Sequence, residues 1–141
     1  MSYKKVLTKE LNANRVREMI SGLDCEFDEA GGDYDFSIKR NGLYYMISLD
    51  AKEREYVSLS LSIAMDDGVT KERSFDVVNH VNSTYKVVKC FTVDRGPHVA
   101  FTLAAEMWLL DDSEFARLYE RAMGSINAAV AEVNQDFPGF I

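Results

Sequence analysis

Two cysteines, two prolines and two histidines in 141 residues exclude several familiar kinds of protein. Cys25 and Cys90 are too few for a disulfide framework, so the fold must rest on packing. Both lie in strand-like segments among apolar neighbours, as small reduced core or sheet residues do. Pro97 and Pro138 fall outside every periodic segment and break no helix or strand. His80 falls on the polar side of a helical segment and His98 in a turn. Neither has a Cys, Asp or Glu at ligand spacing, which argues against a metal. No apolar run approaches the ~18 residues of a membrane span, and Met1-Ser2-Tyr3-Lys4-Lys5 lacks the apolar stretch of a secretion signal, so a cytoplasmic location is expected. Basic clusters are also missing. The 16 Lys and Arg are scattered singly among 23 Asp and Glu, and the net charge of −7 argues against nucleic acid as a partner. Gly31-Gly32 has neither the strand-to-helix setting nor the lysine of a phosphate loop.

What is present is ordinary globular material, 47% hydrophobic and 28% charged. The length fits one domain over residues 1–141, and a chain of this size buries roughly 68–70% of its unfolded surface without staples. No repeat, low-complexity tract or linker divides it.

Hydrophobic period assigns the elements. Ala13, Val16, Ile20 and Leu23, with Met19, recur at helical steps over residues 12–23; Asn12 is the expected N-cap, Leu11 the staple to Val16 and Gly22 the stop. Leu7 lies off that stripe. Tyr34, Phe36 and Ile38 alternate with polar residues, Asn41-Gly42 supplies a type I′ turn, and Leu43, Tyr45, Ile47 and Leu49 continue one face. Val57, Leu59, Leu61, Ile63 and Met65 alternate with Ser58, Ser60, Ser62 and Ala64 in a third strand. Residues 71–84, capped by Thr70, form a helix with Val77, Val78, Val81 and Tyr85 on its apolar stripe. Residues 87–93 and 99–109 are strands joined by the turn Asp94-Arg95-Gly96-Pro97-His98. Asp111 caps a long last helix, with Glu114 in the capping box and Leu110 stapling to Phe115. Its stripe is Phe115, Leu118, Ala122, Ile126, Ala129 and Val133. The expected class is α+β, a two-layer antiparallel sheet with helices on one face in the order α-β-β-β-α-β-β-α, with a further short strand possible at Cys25–Asp28.

This order resembles the YbjN family, which shares the fold of type III secretion chaperones. The resemblance spans nearly the whole chain. It is carried by the hairpin Asp33–Leu49 after a helix, by Val78-Asn79-His80-Val81-Asn82 closing the middle helix, and by Lys89-Cys90-Phe91-Thr92-Val93-Asp94. Phe101-Thr102-Leu103-Ala104-Ala105-Glu106-Met107 before a capped long helix completes it. What it implies is a non-enzymatic, often dimeric domain similar to peptide-binding chaperones and regulators, with no catalytic residues to carry over.

The residues themselves offer little chemistry. With Val93 opposite His98, Cys90 would face Phe101 and sit about 10 Å from the imidazole, too far for a nucleophile pair. Asp66-Asp67 and Asp111-Asp112 stand at element ends, where capping explains them. Asn79 and Asn82 are expected structural polar residues, Asn82 lying where its amide can satisfy backbone groups of the adjoining strand. The remaining feature is a surface. Tyr44, Met46, Tyr56, Ser58, Ser60, Ser62 and Trp108 fall on the sheet face turned away from the helices, joined by Thr102 and Ala104. Large aromatics among small hydroxyls suit a protein or peptide partner and a homodimer better than bare solvent. No cofactor is expected. The competing class is a small-ligand-binding domain or an enzyme whose chemistry the sequence does not display.

Overall fold

The computed structural model describes residues 6–23, 25–29 and 32–141; Gly31 and the opening Met1 to Lys5 lie outside them. The elements run α1 (Lys9–Ile20), β1 (Glu26–Glu29), β2 (Asp35–Arg40), β3 (Leu43–Leu49), β4 (Tyr56–Ala64), α2 (Lys71–Thr84), β5 (Val88–Arg95), β6 (His98–Trp108), a 3₁₀ turn (Asp112–Glu114) and α3 (Phe115–Asp136). The strands form one six-stranded sheet in the order β1-β2-β3-β4-β6-β5. This is the expected α+β architecture, with β1 as the additional strand. No helix among the described residues is long and apolar enough to cross a membrane.

Two compact units emerge, Met1–Leu59 with Glu106–Glu120, and Ser60–Ala105 with Arg121–Ile141. In the first, Thr8 and not Asn12 caps α1, accepting the Leu11 N–H at 3.2 Å, and the helix starts three residues earlier than its apolar period suggests. Asn12 is buried and donates to the Asp33 carbonyl at 3.3 Å. Leu11 is exposed, so it staples nothing, whereas Leu7 enters the core. Gly22, at φ 86°, ends the helix as expected. Asn41 and Gly42, at φ 53° and 78°, make the two-residue turn between β2 and β3. Phe36, Ile38, Tyr45 and Ile47 then share one buried face. Arg40, on the same side of β2, reaches Glu120 at 2.9 Å and lies over the Tyr119 ring, so the start of α3 covers that face. Arg15, almost wholly buried, forks onto Asp112 through Nε and Nη2 at 3.0–3.2 Å and ties α1 to the turn before α3.

In the second unit Thr70 caps α2 as expected, accepting the Arg73 N–H at 3.1 Å. Val77 and Val81 bury its stripe, joined by Ser74, while Val78 and Tyr85 are half-buried. β5 and β6 pair with Arg95 opposite His98, so the loop is the two residues Gly96-Pro97, with Gly96 at φ 67°. Cys90, Phe101, Leu103 and Ala105 turn inward. The Cys90 thiol donates to the Val78 carbonyl at 3.5 Å, placing α2 over that face. Beyond α3 the chain turns at Gly139 and sends Phe140 inside, edge-on to Phe101 at 5.1 Å. Burying a ring of that size stabilises by roughly 1.5–3 kcal/mol.

Asp111 does cap, accepting the Ser113 N–H at 3.0 Å, but it caps the 3₁₀ turn that precedes α3. Leu110 is 81% exposed and staples nothing. The buried stripe of α3 is wider than its small-residue period implies: Tyr119 and Met123 are interior, and Leu118 only half-buried.

Candidate functional site

Alternation sorts the first unit's strands into two unlike faces. Residues opposite the helix-covered side of β2 and β3 are Asp35, Ser37 and Lys39, paired across the hairpin with Ser48, Met46 and Tyr44. β1 extends the rows, with Glu26 opposite Lys39 and Asp28 opposite Ser37. Two rows therefore cross three strands, Glu26–Lys39–Tyr44 and Asp28–Ser37–Met46. Tyr44 is 64% exposed and Met46 36%. The Lys39 ammonium lies 5.7 Å from the Tyr44 ring centre. A depression of about 230 Å³ is lined by Glu26, Asp28, Ser37, Lys39 and Tyr44.

The same unit holds an aromatic pair at the start of β4 and the end of β6. The Leu109 N–H donates to the Glu55 carbonyl, fixing the two segments side by side. Tyr56 and Trp108 then meet edge to face at 6.2 Å, and the Tyr56 hydroxyl hydrogen-bonds the Glu106 carboxylate at 3.1 Å. Trp108, the chain's single tryptophan, is 65% exposed. An indole left this wet gives up roughly the several kcal/mol that burial of a large aromatic provides.

Ser58 departs from the expected surface. It is buried at 7% exposure, because a short side chain on an inner strand is overshadowed by longer neighbours. Ser60 and Ser62 belong to the second unit, where Ser60 is half-buried and Ser62 exposed. The Ser62 and Thr102 hydroxyls share a hydrogen bond of 2.8 Å, and Thr102 and Ala104 are buried. Phe91, opposite Thr102 on β5, is exposed on this face. Strand alternation places Phe91 on this face in either register, since the four-residue turn expected before His98 shifts the pairing by two residues, to Ala100, and a shift of two keeps a side chain on its face.

That register also moves the thiol. Cys90 faces Leu103 instead of Phe101, five positions along β6 from His98, or roughly 16 Å at strand rise. Burial pushes the Cys90 thiol up to about 12, the opposite of what a nucleophile needs. Its backbone has a partner on α2. The Asn82 side chain accepts the Cys90 N–H at 2.7 Å and donates to the Cys90 carbonyl at 3.1 Å. Asn79 is exposed on the same helix. His80 is not isolated as its sequence neighbours suggest: Glu132, 52 residues on, lies 3.1 Å from its Nε2. A second, polar depression of about 370 Å³ lies beside Cys25, lined also by Glu26, Lys39, Arg40, Asn41 and Gly42.

The architecture is thus an α+β fold whose first unit carries exposed aromatics on the strand face opposite its helix-covered side. No family model and no curated protein sequence matches the chain. Solved structures do share the fold. YbjN from E. coli, proposed to be a transcription regulator, superposes with a TM-score of 0.71 at 14% identity, over 88% of this chain and 92% of that one. The Yersinia pestis type III secretion chaperone SycH, in complex with a stable fragment of YscM2, gives 0.55 at 11% identity, over 85% of this chain and 98% of that one. At such identities the likeness establishes the fold and nothing finer.

Proposed function

We propose that this chain is a non-enzymatic protein-binding module, chaperone-like or regulatory, that works in the cytoplasm as a homodimer. The observation that carries the proposal is the first unit's open face, where Tyr44, Met46 and Trp108 stay exposed on strands and Tyr56 is half-buried against Trp108. Rigid aromatics offer large contact area at little entropic cost, which is why Tyr and Trp dominate interface hot spots. The occupant is an extended partner segment with apolar anchors flanked by Lys or Arg. The carboxylates of Glu26, Asp28 and Glu106 rim the aromatics, and the chain as a whole carries −7. SycH, of the same fold, holds a fragment of another protein, which supports a polypeptide ligand over a small molecule. In the second unit Ser60 and Ser62 are taken as partner-contacting hydroxyls of that unit's own outward face, while Asn79 and Asn82 are assigned to structure. We take residues 1–141 as one working domain because β4, β6 and α3 each contribute to both units.

Trp108 reports directly on this surface. Its emission shifts to the blue when a basic, Leu- and Tyr-bearing extended peptide docks, and Trp108→Phe/Tyr44→Lys loses the binding measured by anisotropy of a labelled peptide. Unchanged peptide affinity in that variant would remove the surface. Sedimentation at high micromolar concentration tests assembly separately, and a monomer throughout would discard the homodimer.

A further inference from the structure

The second unit brings together three side chains of metal-ligating type. His80 lies on α2, and Glu132 and Asp136 lie one turn apart on α3, so both carboxylates project from the same side of that helix. His80 Nε2 stands 3.1 Å from Glu132 Oε2, and one ligand atom from each of the three residues lies within 4.8 Å of the others. Around a four-coordinate zinc, bonds of about 2.0–2.2 Å place ligand atoms roughly 3.4 Å apart.

The surroundings point to a cation independently of that spacing. Neither α2 nor α3 has a basic residue in its last turn, where the helix dipole is negative, and α3 places the Asp136 carboxylate there with Glu132 one turn before it. Acidic groups at a helix C-terminus are electrostatically disfavoured unless something positive offsets them. Arg73, on α2, is directed to the Pro138 carbonyl, to which it donates, and to the Phe137 ring, over which it lies. Tyr85, the C-cap of α2, also faces the Glu132 carboxylate. Phe137 stacks edge-on against the imidazole at 5.4 Å and limits its rotation.

We propose that His80, Glu132 and Asp136 form a zinc site, with water as fourth ligand, that fastens α2 to the end of α3. One imidazole and two carboxylates suit zinc better than calcium or magnesium, which prefer oxygen alone. The bound ion would neutralise both carboxylates and replace a solvent-screened His–Glu contact by a metal bridge between two helices that carry much of this unit's core.

The test uses the full, reduced chain after chelator treatment, titrated with zinc chloride at neutral pH by calorimetry and by thermal unfolding. The expected result is one equivalent bound with a raised midpoint, no such rise with magnesium or calcium, and affinity at least tenfold weaker in both His80→Ala and Asp136→Asn. Cobalt substitution should give the visible absorption of a tetrahedral ion. Zinc that neither binds nor raises the midpoint overturns the proposal. So does equal binding in wild type and variants, or loss in one variant alone. Should His80→Ala fail to fold, Asp136→Asn, altered at an exposed position, carries the same decision.

Discussion

Replacing Asn82 by alanine removes both hydrogen bonds that hold the Cys90 backbone to α2. Strand β5 is the last in the sheet, so its outward N–H and C=O groups have no strand partner. Asn82 supplies one, accepting at 2.7 Å and donating at 3.1 Å. Each such bond contributes a net ~0.5–1.5 kcal/mol, so the pair is worth about 1–3 kcal/mol. Because Asn82 is itself exposed, water can partly replace it, which places the loss in the lower half of that range. For 141 residues the unfolding entropy is about 300 cal/mol/K, so the midpoint should fall by about 3–6 °C. Circular dichroism melting measures this, and hydrogen exchange should show the Cys90 amide losing protection. Asn82→Asp keeps the acceptor for the N–H but turns a carboxylate towards the carbonyl, and should cost at least as much. A midpoint equal to wild type, with the Cys90 amide still slow to exchange, would refute the reasoning.

The Cys90 thiol is pushed by burial from 9.0 to about 12, so the folded state keeps a proton that the unfolded state loses. Stability from this group is complete below pH 9 and declines by up to about 1.4 kcal/mol per pH unit above it; urea titrations at pH 8 and 10 should show a decline that Cys90→Ala flattens, and equal slopes would deny it. Asp112→Ala strands the buried Arg15 guanidinium and should cost on the order of 3 kcal/mol in denaturant titrations, whereas Glu114→Ala, which frees only the exposed Arg117, should cost less than about 0.5. Trp108→Lys should leave stability within about 0.5 kcal/mol of wild type, since it alters an exposed residue, and a large loss would mean that the indole is structural.

The sequence displays this fold wherever local chemistry and burial agree. Thr70 and the Val77–Val81 stripe place α2 at its observed bounds, and Asn41-Gly42 places the β2–β3 turn, because each signal acts within a few residues. Where a distant partner decides, the patterns mislead. Asn12 has the chemistry of a cap, yet Asp33, 21 residues on, claims its side chain, and Thr8 caps in its place. Tyr119 lies on the α3 stripe by spacing, four residues after Phe115 and three before Ala122, but its hydroxyl disguises a ring that packs against Phe115 beneath Arg40. The exposure of Tyr44, Met46 and Trp108 was legible from alternation, whereas Tyr56 is half-buried against the indole. Strand order hides the rest: Ser58 and Thr102 sink because they lie on inner strands, which alternation cannot reveal. The meeting of His80 with Glu132 is likewise invisible to spacing rules, since it requires α2 and α3 to be packed first.

Phe140 is a clasp that the second unit draws from far along the chain. Its ring closes over Phe101, and its carbonyl receives the Asp66 N–H at 2.8 Å, so three segments distant in sequence must meet before the inward side of β6 is covered there. A cut between α3 and Phe140 should therefore leave apolar surface open to aggregation, a far larger effect than the few residues severed would suggest.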